Sequence, residues 1–212
     1  MNNSNNIFLF SKTSYPDINH VPIIQVSYLQ PTIDFSSYDY IIATSKEVFT
    51  ALDKIGSWKH LPVLAISEST AKTAESMGAE VLDIAKGYGR NIVELVKEKY
   101  LGLNALHPHA KVIAFDIEDA LQDYRVSLDS FVVYETSCSQ AKSITLPANA
   151  ICIFTSPSSV KCFEKSYRFS PSYKVVCIGK TTASSLPKGV EFLLCESPSV
   201  PSCIERAQSL TK

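Results

Sequence analysis

The sequence contains a set of segments that recur at a nearly constant distance along the chain. The apolar stretches that end at Thr44 and Thr155 resemble each other and lie 111 positions apart. The segments around Thr70 and Thr182 are similar at a distance of 112 positions. A Gly-x-Glu segment, at residues 78–80 and 189–191, and a predicted helix start, at Asn91 and Ser202, also recur at a distance of 111 positions. Because the similar segments follow one another in the same order, they predict two similar α/β lobes. The alternative explanation is that all α/β units resemble one another in sequence.

Short apolar runs alternate with segments of helical periodicity throughout the chain. Several of the runs are apolar on both faces, which is typical of a parallel sheet covered by helices on each side. The predicted strands are residues 7–12, 23–29, 40–43, 63–66, 80–84, 111–115, 130–135, 150–154, 174–178 and 191–194. The predicted helices are residues 46–55, 69–77, 92–100 (with Asn91 as N-cap), 158–165, 181–186 and 201–210. This alternation predicts an α/β fold with right-handed crossovers.

Composition limits the classes of partner. The chain has 212 residues, of which 45% are hydrophobic and 19% charged, and its net charge is −1. The length fits one large domain or two small ones. Balanced charge argues against duplex DNA or an anionic membrane surface as a partner. The polar residues 1–6 and the short apolar run after them do not resemble a signal peptide, and no apolar run could span a bilayer, so we expect a cytoplasmic protein.

Cysteine and histidine offer no metal or redox motif. All six cysteines lie in the last 75 residues, none forms a CxxC motif, and none has a histidine at zinc-finger spacing. They are Cys138, Cys152, Cys162, Cys177, Cys195 and Cys203. We expect buried, reduced thiols that act as small hydrophobic side chains. His107 and His109 flank a proline, which predicts a loop, and all four histidines are expected in loops or on the surface.

Four predicted strand ends are followed by hydroxyl-rich turns. The turns are Thr44-Ser45, the segment 67–70 with Ser69, Thr155-Ser156, and the segment 179–182 with Lys180, Thr181 and Thr182. Ligands of open α/β sheets bind beyond the carboxyl ends of the strands, and hydroxyls with free N–H groups at a helix N-terminus favour carboxylates or phosphates. Plain N-capping by serine and threonine is the alternative. The pairing of these turns between the two lobes places an anion site level with plain capping as an interpretation.

The sequence lacks the motifs of the common cofactor sites, GxGxxG, GxxxxGK[ST] and GxSxG. This predicts either a reaction without a cofactor or simple binding. Lys46, Lys161 and Lys180 lie near the hydroxyl turns, and Lys86 and Arg90 flank Gly87-Tyr88-Gly89. Each of these cations is either a ligand for an anion or a solvated surface charge. Tyr134 ends the apolar run 131–134, and it either belongs to a core or presents its phenol to a cleft between the lobes.

The order and spacing of these residues resemble the uroporphyrinogen-III synthase family of tetrapyrrole (haem) biosynthesis. The resemblance runs from about residue 7 to 210. It is carried by the segments 40–48, 131–136, 153–160 and 176–183 and by the loop 87–91. It implies two flavodoxin-like lobes with parallel sheets flanked by helices, joined by a two-stranded antiparallel linker. The implied lobes are residues 1–30 with 138–212, and residues 32–132. The implied linker strands are about residues 25–29 and 131–136.

The resemblance also implies the reaction. Hydroxymethylbilane, a linear tetrapyrrole, loses water and closes to uroporphyrinogen III with ring D inverted, without a cofactor or a metal. Tyr134 matches the cleft tyrosine of the family and is the candidate general acid. The candidate residues for substrate binding are Thr44, Ser45, Ser69, Lys86, Arg90, Thr155, Ser156, Lys180, Thr181 and Thr182. We expect a monomeric lyase that receives its substrate, through a transient hand-over, from the preceding enzyme.

Two departures from the family bear on substrate binding. Lys12 stands near the first strand where many members carry an arginine, and the segment after residues 111–115 is acidic at Asp116, Glu118 and Asp119. Such a turn would repel carboxylates. Two alternatives therefore stay open, which are a non-catalytic bilobed protein that binds a small anion and a flavin-nucleotide binder.

Overall fold

The computed structural model describes residues 6–124, 126–140 and 144–211. Most of the segment 1–6, considered above for a signal peptide, lies outside them. The strands are β1 (Ile7–Ser11), β2 (Asn19–Pro22), β3 (Ile24–Tyr28), β4 (Tyr40–Ala43), β5 (Val63–Ala65), β6 (Val81–Ile84), β7 (Asn104–Ala110), β8 (Ser127–Cys138), β9 (Ile151–Phe154), β10 (Lys174–Cys177) and β11 (Leu193–Leu194). The helices are α1 (Glu47–Leu52), α2 (Glu68–Ser76), α3 (Gly89–Lys99), α4 (Ile117–Leu121), α5 (Pro157–Ser166), α6 (Lys180–Ala183) and α7 (Val200–Gln208).

The chain divides into two compact units. Unit 1 comprises Met1–Val26 and Thr136–Lys212, and unit 2 comprises Ser27–Glu135. The chain passes between them twice, within β3 and within β8. These two strands are neighbours in one sheet. The Leu29 N–H donates to the Val133 carbonyl, and the Ser139 N–H donates to the Ile23 carbonyl. Residue numbers therefore fall along β8 as they rise along β3, which is the pattern of antiparallel pairing.

Unit 1 contains a parallel sheet in the order β11-β10-β9-β1-β2. Neighbouring residues of β1 contribute to different cores, as expected when both faces of a strand are covered. Phe8 and Phe10 belong to one core cluster with Phe163 of α5. Ile7 and Leu9 belong to another with Ile204 of α7. The predicted helices on both sides of a parallel sheet are confirmed here.

Unit 2 contains the sheet β3-β8-β7-β4-β5-β6, in which β8 to β6 pair in parallel. Tyr40 and Ile42 of β4 pack with Ile92 of α3 and Ile117 of α4 in one core cluster. Counted along the chain from β4, the spatial order of the parallel strands is 3-2-1-4-5. This is a doubly wound order, and its strand order reverses between β4 and β7.

The repeat found in the sequence is a repeat of structure. β4 and β9 begin 111 positions apart, as do β5 and β10 and also α3 and α7. In each sheet one further strand lies beside the repeated part: β7 lies beside β4, and β1 lies beside β9. These two strands occupy different places along the chain, because β7 follows β6 whereas β1 precedes the whole of unit 2. The two units therefore share one architecture with the connection permuted.

The segment around His107 differs from the prediction. Residues 111–115 form no strand, and β7 lies at Asn104–Ala110, so His107 and His109 are strand residues rather than loop residues. A proline is tolerated in this strand because β4 pairs only with Ala105 and Leu106. Pro108 lies beyond that pairing, where its missing N–H removes no bond to β4.

Three other elements also differ from the prediction. α3 begins at Gly89 with Tyr88 as N-cap, not at Asn91, whose N–H already bonds to the Tyr88 carbonyl within the first turn. β2 and α4 were not predicted, because four and five residues are too few to show a period. Pro201 lies in the first turn of α7, as predicted.

The prediction that all six cysteines are reduced is wrong for two of them. Cys138 at the end of β8 and Cys162 in α5 form a disulfide, because the strand end lies against the helix in the core of unit 1. Cys152, Cys177 and Cys203 are buried free thiols and Cys195 is half-buried. Burial raises the pKa of Cys152 and of Cys177 to about 12, so both are unreactive thiols. Among the described residues, no helix is long and apolar enough to cross a membrane.

Candidate functional site

A cavity of about 410 Å³ lies at the carboxyl ends of the parallel strands of unit 2. It opens where the strand order reverses, which is the usual ligand position in a doubly wound sheet. Its lining consists of Thr44, Ser45, Ile66, Gly87, Tyr88, Gly89, Arg90, His107, Ala110, Val112, Ile113, Ala114, Phe115, Ile117 and Tyr134. Hydroxyl, cationic, imidazole and apolar side chains therefore meet in one place.

Thr44 and Ser45 reach the cavity because β4 ends directly before them. Both are half-buried, and the Ser45 hydroxyl accepts a hydrogen bond of 3.2 Å from the N–H of Glu47 at the start of α1. Ser45 thus supports the helix start and lines the cavity at the same time. Lys46 is exposed, is the N-cap of α1 and does not line the cavity.

The loop between β6 and α3 brings a helix N-terminus to the cavity. Lys86 and Gly87 both have positive φ, at 52° and 92°, which turns the chain sharply after β6. The Tyr88 side chain makes no capping hydrogen bond to the 11-residue helix that follows. The first turn of α3 therefore offers N–H groups and the positive end of its dipole to an anion.

Arg90 adds a full positive charge at the same end of α3. Its side chain lines the cavity, and its residue is exposed. None of the salt bridges formed between described residues involves it. A guanidinium in this situation suits bidentate recognition of a carboxylate.

An apolar segment between β7 and α4 forms another side of the cavity. Val112 is 84% exposed, Ile113 38% and Phe115 40%, and Tyr88, directly before α3, is 70% exposed. The Phe115 ring lies directly against Gly89, where a Cβ atom would come within 2.5 Å of it. Exposed apolar side chains beside a polar helix end suit a ligand that has both flat apolar faces and acidic groups.

Tyr134 and His107 lie deeper than the other polar residues. Tyr134, on β8 opposite Ala110 of β7, is 8% exposed. His107 is 2% exposed, and neither of its ring nitrogens has a hydrogen-bond partner. Its ring stacks on that of His109 with 5.0 Å between centroids. Burial, with the nearby His109 as a second cause, lowers the pKa of His107 to about 3, so the imidazole is neutral near pH 7.

The cavity brings together four of the residues that the sequence singled out, namely Thr44, Ser45, Arg90 and Tyr134. Ser69 and Lys86 do not line it. Ser69 is exposed, and its hydroxyl lies 3.3 Å from that of Ser67, the residue that caps α2. Lys86 is exposed in the turn before Gly87. For the turn at Ser67, N-capping accounts for the hydroxyls.

The candidates of unit 1 lie at the carboxyl ends of β9 and β10. Ser156 caps α5 in a capping box with Ser159, which again is what plain capping requires. Thr155 is half-buried, and Thr182 is 3% exposed in the four-residue helix α6. Lys180 and Thr181 are exposed.

The acidic turn lies outside the cavity lining. Asp116 caps α4 by accepting a hydrogen bond of 3.0 Å from the Asp119 N–H. Asp116, Glu118 and Asp119 line a separate surface depression, and Ile117 is the residue of α4 that lines the cavity. The acidic side chains therefore do not line the cavity, although Asp116 lies close enough to act on the charge of His107, which does.

Sequence reasoning missed His107, Tyr88 and the apolar segment 112–115. The proline beside His107 suggested a loop, and the apolar run 111–115 suggested a strand. A period of two from Ala105 through His107 to His109 was the available signal for a strand that carries a buried histidine. Among the described residues, no group of three or more histidine, cysteine, aspartate or glutamate side chains is arranged to hold a metal ion.

Comparisons with known proteins give one consistent result. Residues 13–205 match the family model described as uroporphyrinogen-III synthase HemD. No curated protein sequence matches the chain. A crystal structure of uroporphyrinogen-III synthetase from Helicobacter pylori has a TM-score of 0.83 and 23% identity, covering 97% of this chain and 99% of that one. A mutant uroporphyrinogen III synthase from the extremely thermophilic bacterium Thermus thermophilus has a TM-score of 0.61 and 12% identity, covering 96% and 98%.

The two structural similarities concern the fold, because their sequence identities are low. The family model adds sequence evidence over both units, from the segment before β2 to α7. The order of the hydroxyl turns, the loop at Gly87 and the position of Tyr134 all fall within the matched residues. This chain therefore belongs to the uroporphyrinogen-III synthase family.

Proposed function

We propose that this protein is a uroporphyrinogen-III synthase, which cyclises hydroxymethylbilane to uroporphyrinogen III with loss of water and inversion of ring D. The observation that carries the proposal is the family match over residues 13–205, which includes most of both units. The enzyme is then a cyclising lyase. The substrate itself supplies the electron-rich pyrroles that form the new bond.

The cavity of unit 2 has the chemistry that this substrate requires. A linear tetrapyrrole presents flat apolar rings and acidic side chains on one flexible chain. Phe115 and Tyr88 offer apolar surface for a ring, while the N-terminus of α3 and Arg90 offer positive potential for a carboxylate. Holding the two ends of the chain in a closing geometry removes an entropic barrier that can reach several kcal/mol.

Tyr134 is the proposed general acid. Its phenol would transfer a proton, directly or through one water, to the terminal hydroxyl group of the substrate. The C–O bond then breaks, water leaves, and the electron-rich pyrrole system carries the resulting cation. Attack of the substituted α carbon of ring D on this cation forms the new C–C bond, and migration of the existing bridge to the other α carbon inverts the ring. The proton lost as the pyrrole regains aromaticity can return to the Tyr134 phenolate. Tyr134 fits this role because it lies on β8, lines the cavity and is 8% exposed.

The other proposed site residues would bind the substrate from three places in the structure. Thr44, Ser45 and Arg90 would bind substrate carboxylates in the cavity of unit 2. Ser69 and Lys86 have less support, because they do not line it. Thr155, Ser156, Lys180, Thr181 and Thr182 would contribute hydroxyl and ammonium groups from unit 1.

We also propose that units 1 and 2 act as the two lobes of the synthase, with boundaries near residues 30, 32, 132 and 138. A monomer that receives hydroxymethylbilane from the preceding enzyme would suffice for the reaction. A cytoplasmic location is proposed as well. Because disulfides rarely persist in the reducing cytosol, the Cys138–Cys162 pair would be partly or fully reduced there.

The test is an analysis of product isomers. Hydroxymethylbilane is generated in situ by the preceding enzyme, and the ratio of type III to type I uroporphyrinogen is measured with and without this protein. A predominance of type III that increases with protein concentration is expected. Type I alone, at every protein concentration and with a folded sample, would refute synthase activity. Heat-denatured protein is the matched control.

A further inference from the structure

His107 is a buried polar side chain without a partner in the described part of the protein. It is 2% exposed, and both of its ring nitrogens lack a hydrogen bond. Folded proteins pair nearly all of their buried polar groups, so an unpaired one calls for an explanation. A ligand provides that explanation, because the same side chain lines the cavity of unit 2.

The position of His107 on β7 places it between the core and the cavity. Ala105, two residues earlier on the same face, belongs to the core cluster below. Thr44 after β4 and Tyr134 on β8, the strands on either side of β7, line the same cavity. A group that enters the cavity from the carboxyl ends of the strands would therefore meet the imidazole at its inner end.

The charged and titratable groups around His107 come from several elements. His109 of β7 stacks on it, and Asp116, before α4, is close enough to favour its protonated form. Arg90 of α3 and Tyr134 of β8 line the same cavity. Burial outweighs Asp116 and keeps the pKa of His107 at about 3, so the unliganded side chain is a neutral imidazole with one N–H donor.

We propose that His107 is a substrate-binding residue whose imidazole N–H donates a hydrogen bond to a carboxylate of the tetrapyrrole at the inner end of the cavity. This inference rests on the proposed synthase function and adds a residue to its site. A carboxylate that reaches this depth must be hydrogen-bonded, and the neutral imidazole N–H can donate to it.

One consequence separates this role from a merely structural one. A carboxylate beside the ring stabilises the imidazolium form, so the pKa of His107 must rise when the ligand binds. Asp116 acts in the same direction, whereas His109 and Arg90 oppose it. Ligand binding and protonation of His107 are therefore linked, and affinity should increase as the pH falls toward the liganded pKa.

The primary test uses the wild-type protein uniformly labelled with ¹⁵N and the stable macrocycle uroporphyrin III as the probe. The chemical shifts of the His107 ring nitrogens are followed as a function of pH, first without the probe and then with the probe at saturation. Saturation is the probe concentration at which the backbone amide shifts of Thr44, Ser45 and Arg90 no longer change. The proposal expects a change in the His107 ring shifts and a higher His107 pKa in the bound state. An unmoved His107 ring at saturation overturns it, and so does a complete lack of amide shifts at the cavity.

Two variants of His107 test the same contact in the reaction. H107L should raise the KM for hydroxymethylbilane by about tenfold or more, the effect of one hydrogen bond to a charged group, with a much smaller change in kcat. H107Q keeps an N–H donor and should recover most of the loss. H60L, a change at an exposed histidine that does not line the cavity, is the matched control. Equal KM values for H107L and wild type would overturn the proposal.

The two proposals fail in different ways. If wild-type protein makes type III product but the His107 ring does not respond to the probe, only the role of His107 is refuted. If it makes type I product alone, the synthase function is refuted. The probe titration then still reports whether His107 binds a carboxylate.

Discussion

Tyr134 shows how a residue can be located from sequence while its surroundings cannot. Its place at the end of an apolar run left two alternatives, a core residue or a phenol presented to a cleft between the lobes. The structure places it on β8 opposite Ala110, with 8% of its surface exposed, in the lining of the cavity. The exposed fraction depends on β7 and on the segment that follows β7, which no local pattern specifies.

Replacement of Tyr134 tests its proposed role as the acid. Tyr134→Phe should lower turnover by about 100-fold, the lower range for loss of a general acid. It should change the free energy of unfolding by only about 1 kcal/mol, because one hydroxyl is removed and the ring is kept. Initial rates of type III formation and urea unfolding are the measurements. Tyr124→Phe, a change at an exposed tyrosine that does not line the cavity, is the control, and wild-type turnover in Tyr134→Phe would remove the acid role.

His107 illustrates the opposite case at the same scale. The sequence beside Pro108 predicted an exposed loop, and the structure shows a buried strand residue. Strand pairing with β8 along Asn104–Ala110 outweighs the local effect of one proline. The chemical importance of the imidazole follows from its burial, which is a tertiary property.

At the scale of elements, the start of α3 depends on a contact with the segment before α4. Gly89 opens the helix, and a Cβ atom at this position would lie 2.5, 2.9 and 3.0 Å from three atoms of Phe115. One of those atoms is the Cβ of Phe115, so a simple ring rotation would not relieve the contact. The two elements therefore shape the cavity together.

A pair of substitutions measures this contact. Gly89→Ala should reduce the free energy of unfolding by about 1–3 kcal/mol, because it overpacks the site against Phe115. In a Phe115→Ala background the same change should cost clearly less, because the two ring contacts are removed and only the contact with the Cβ of residue 115, at 3.0 Å, remains. Urea unfolding followed by the fluorescence of Trp58, the single tryptophan, gives both values. Equal effects in the two backgrounds would show that Phe115 does not restrict this position.

Gly179 provides a matched control for that pair. It precedes α6 in unit 1 as the N-cap, and no atom lies within 4 Å of a Cβ built there. Its φ of −174° is open to any residue. Because Trp58 lies in unit 2, the unfolding of this variant is followed by far-ultraviolet circular dichroism, which reports on both units. Gly179→Ala should change the free energy of unfolding by much less than Gly89→Ala.

For the whole molecule, each unit has its own sheet and its own cores. The disulfide Cys138–Cys162 lies within unit 1. Trp58 lies within unit 2, where it is fully buried and its indole ring stacks on Phe49 with 5.2 Å between centroids. Covalent stabilisation and the fluorescent side chain thus belong to different units, so the stability of each unit can be measured separately.

Reduction of the disulfide should destabilise unit 1 selectively. The bond links residues separated by 24 positions, and closing a loop of this size contributes about 3 kcal/mol in the chain-entropy model. Hydrogen exchange measured by mass spectrometry should become about 100-fold faster in β9 and β10 after reduction, with little change in β4 and β5.

A thiol count accompanies that experiment. Denatured but unreduced protein should show four free thiols, and reduced protein all six. The double variant Cys138→Ser, Cys162→Ser should exchange like the reduced protein. An equal acceleration in β4 and β9 would mean that the two units unfold as one, and six thiols without reductant would mean that the bond does not form.

The sequence alone determined the class of fold and the repeated architecture. Apolar runs with both faces hydrophobic and hydroxyl turns after them are local patterns, and their recurrence at 111 positions depends only on order along the chain. Such patterns locate Thr44, Ser45, Arg90 and Tyr134 at strand ends or helix starts. They do not state which strand ends are neighbours in space.

Tertiary structure alone decided which of these residues meet. The neighbouring positions of β4, β7 and β8, together with the start of α3, gather four predicted residues around one cavity and leave Ser69 and Lys86 outside it. The same packing buries His107, joins Cys138 to Cys162 and engages Asp116 as the cap of α4. These outcomes depend on contacts between residues distant in sequence, and the energy of such contacts cannot be read from any local pattern.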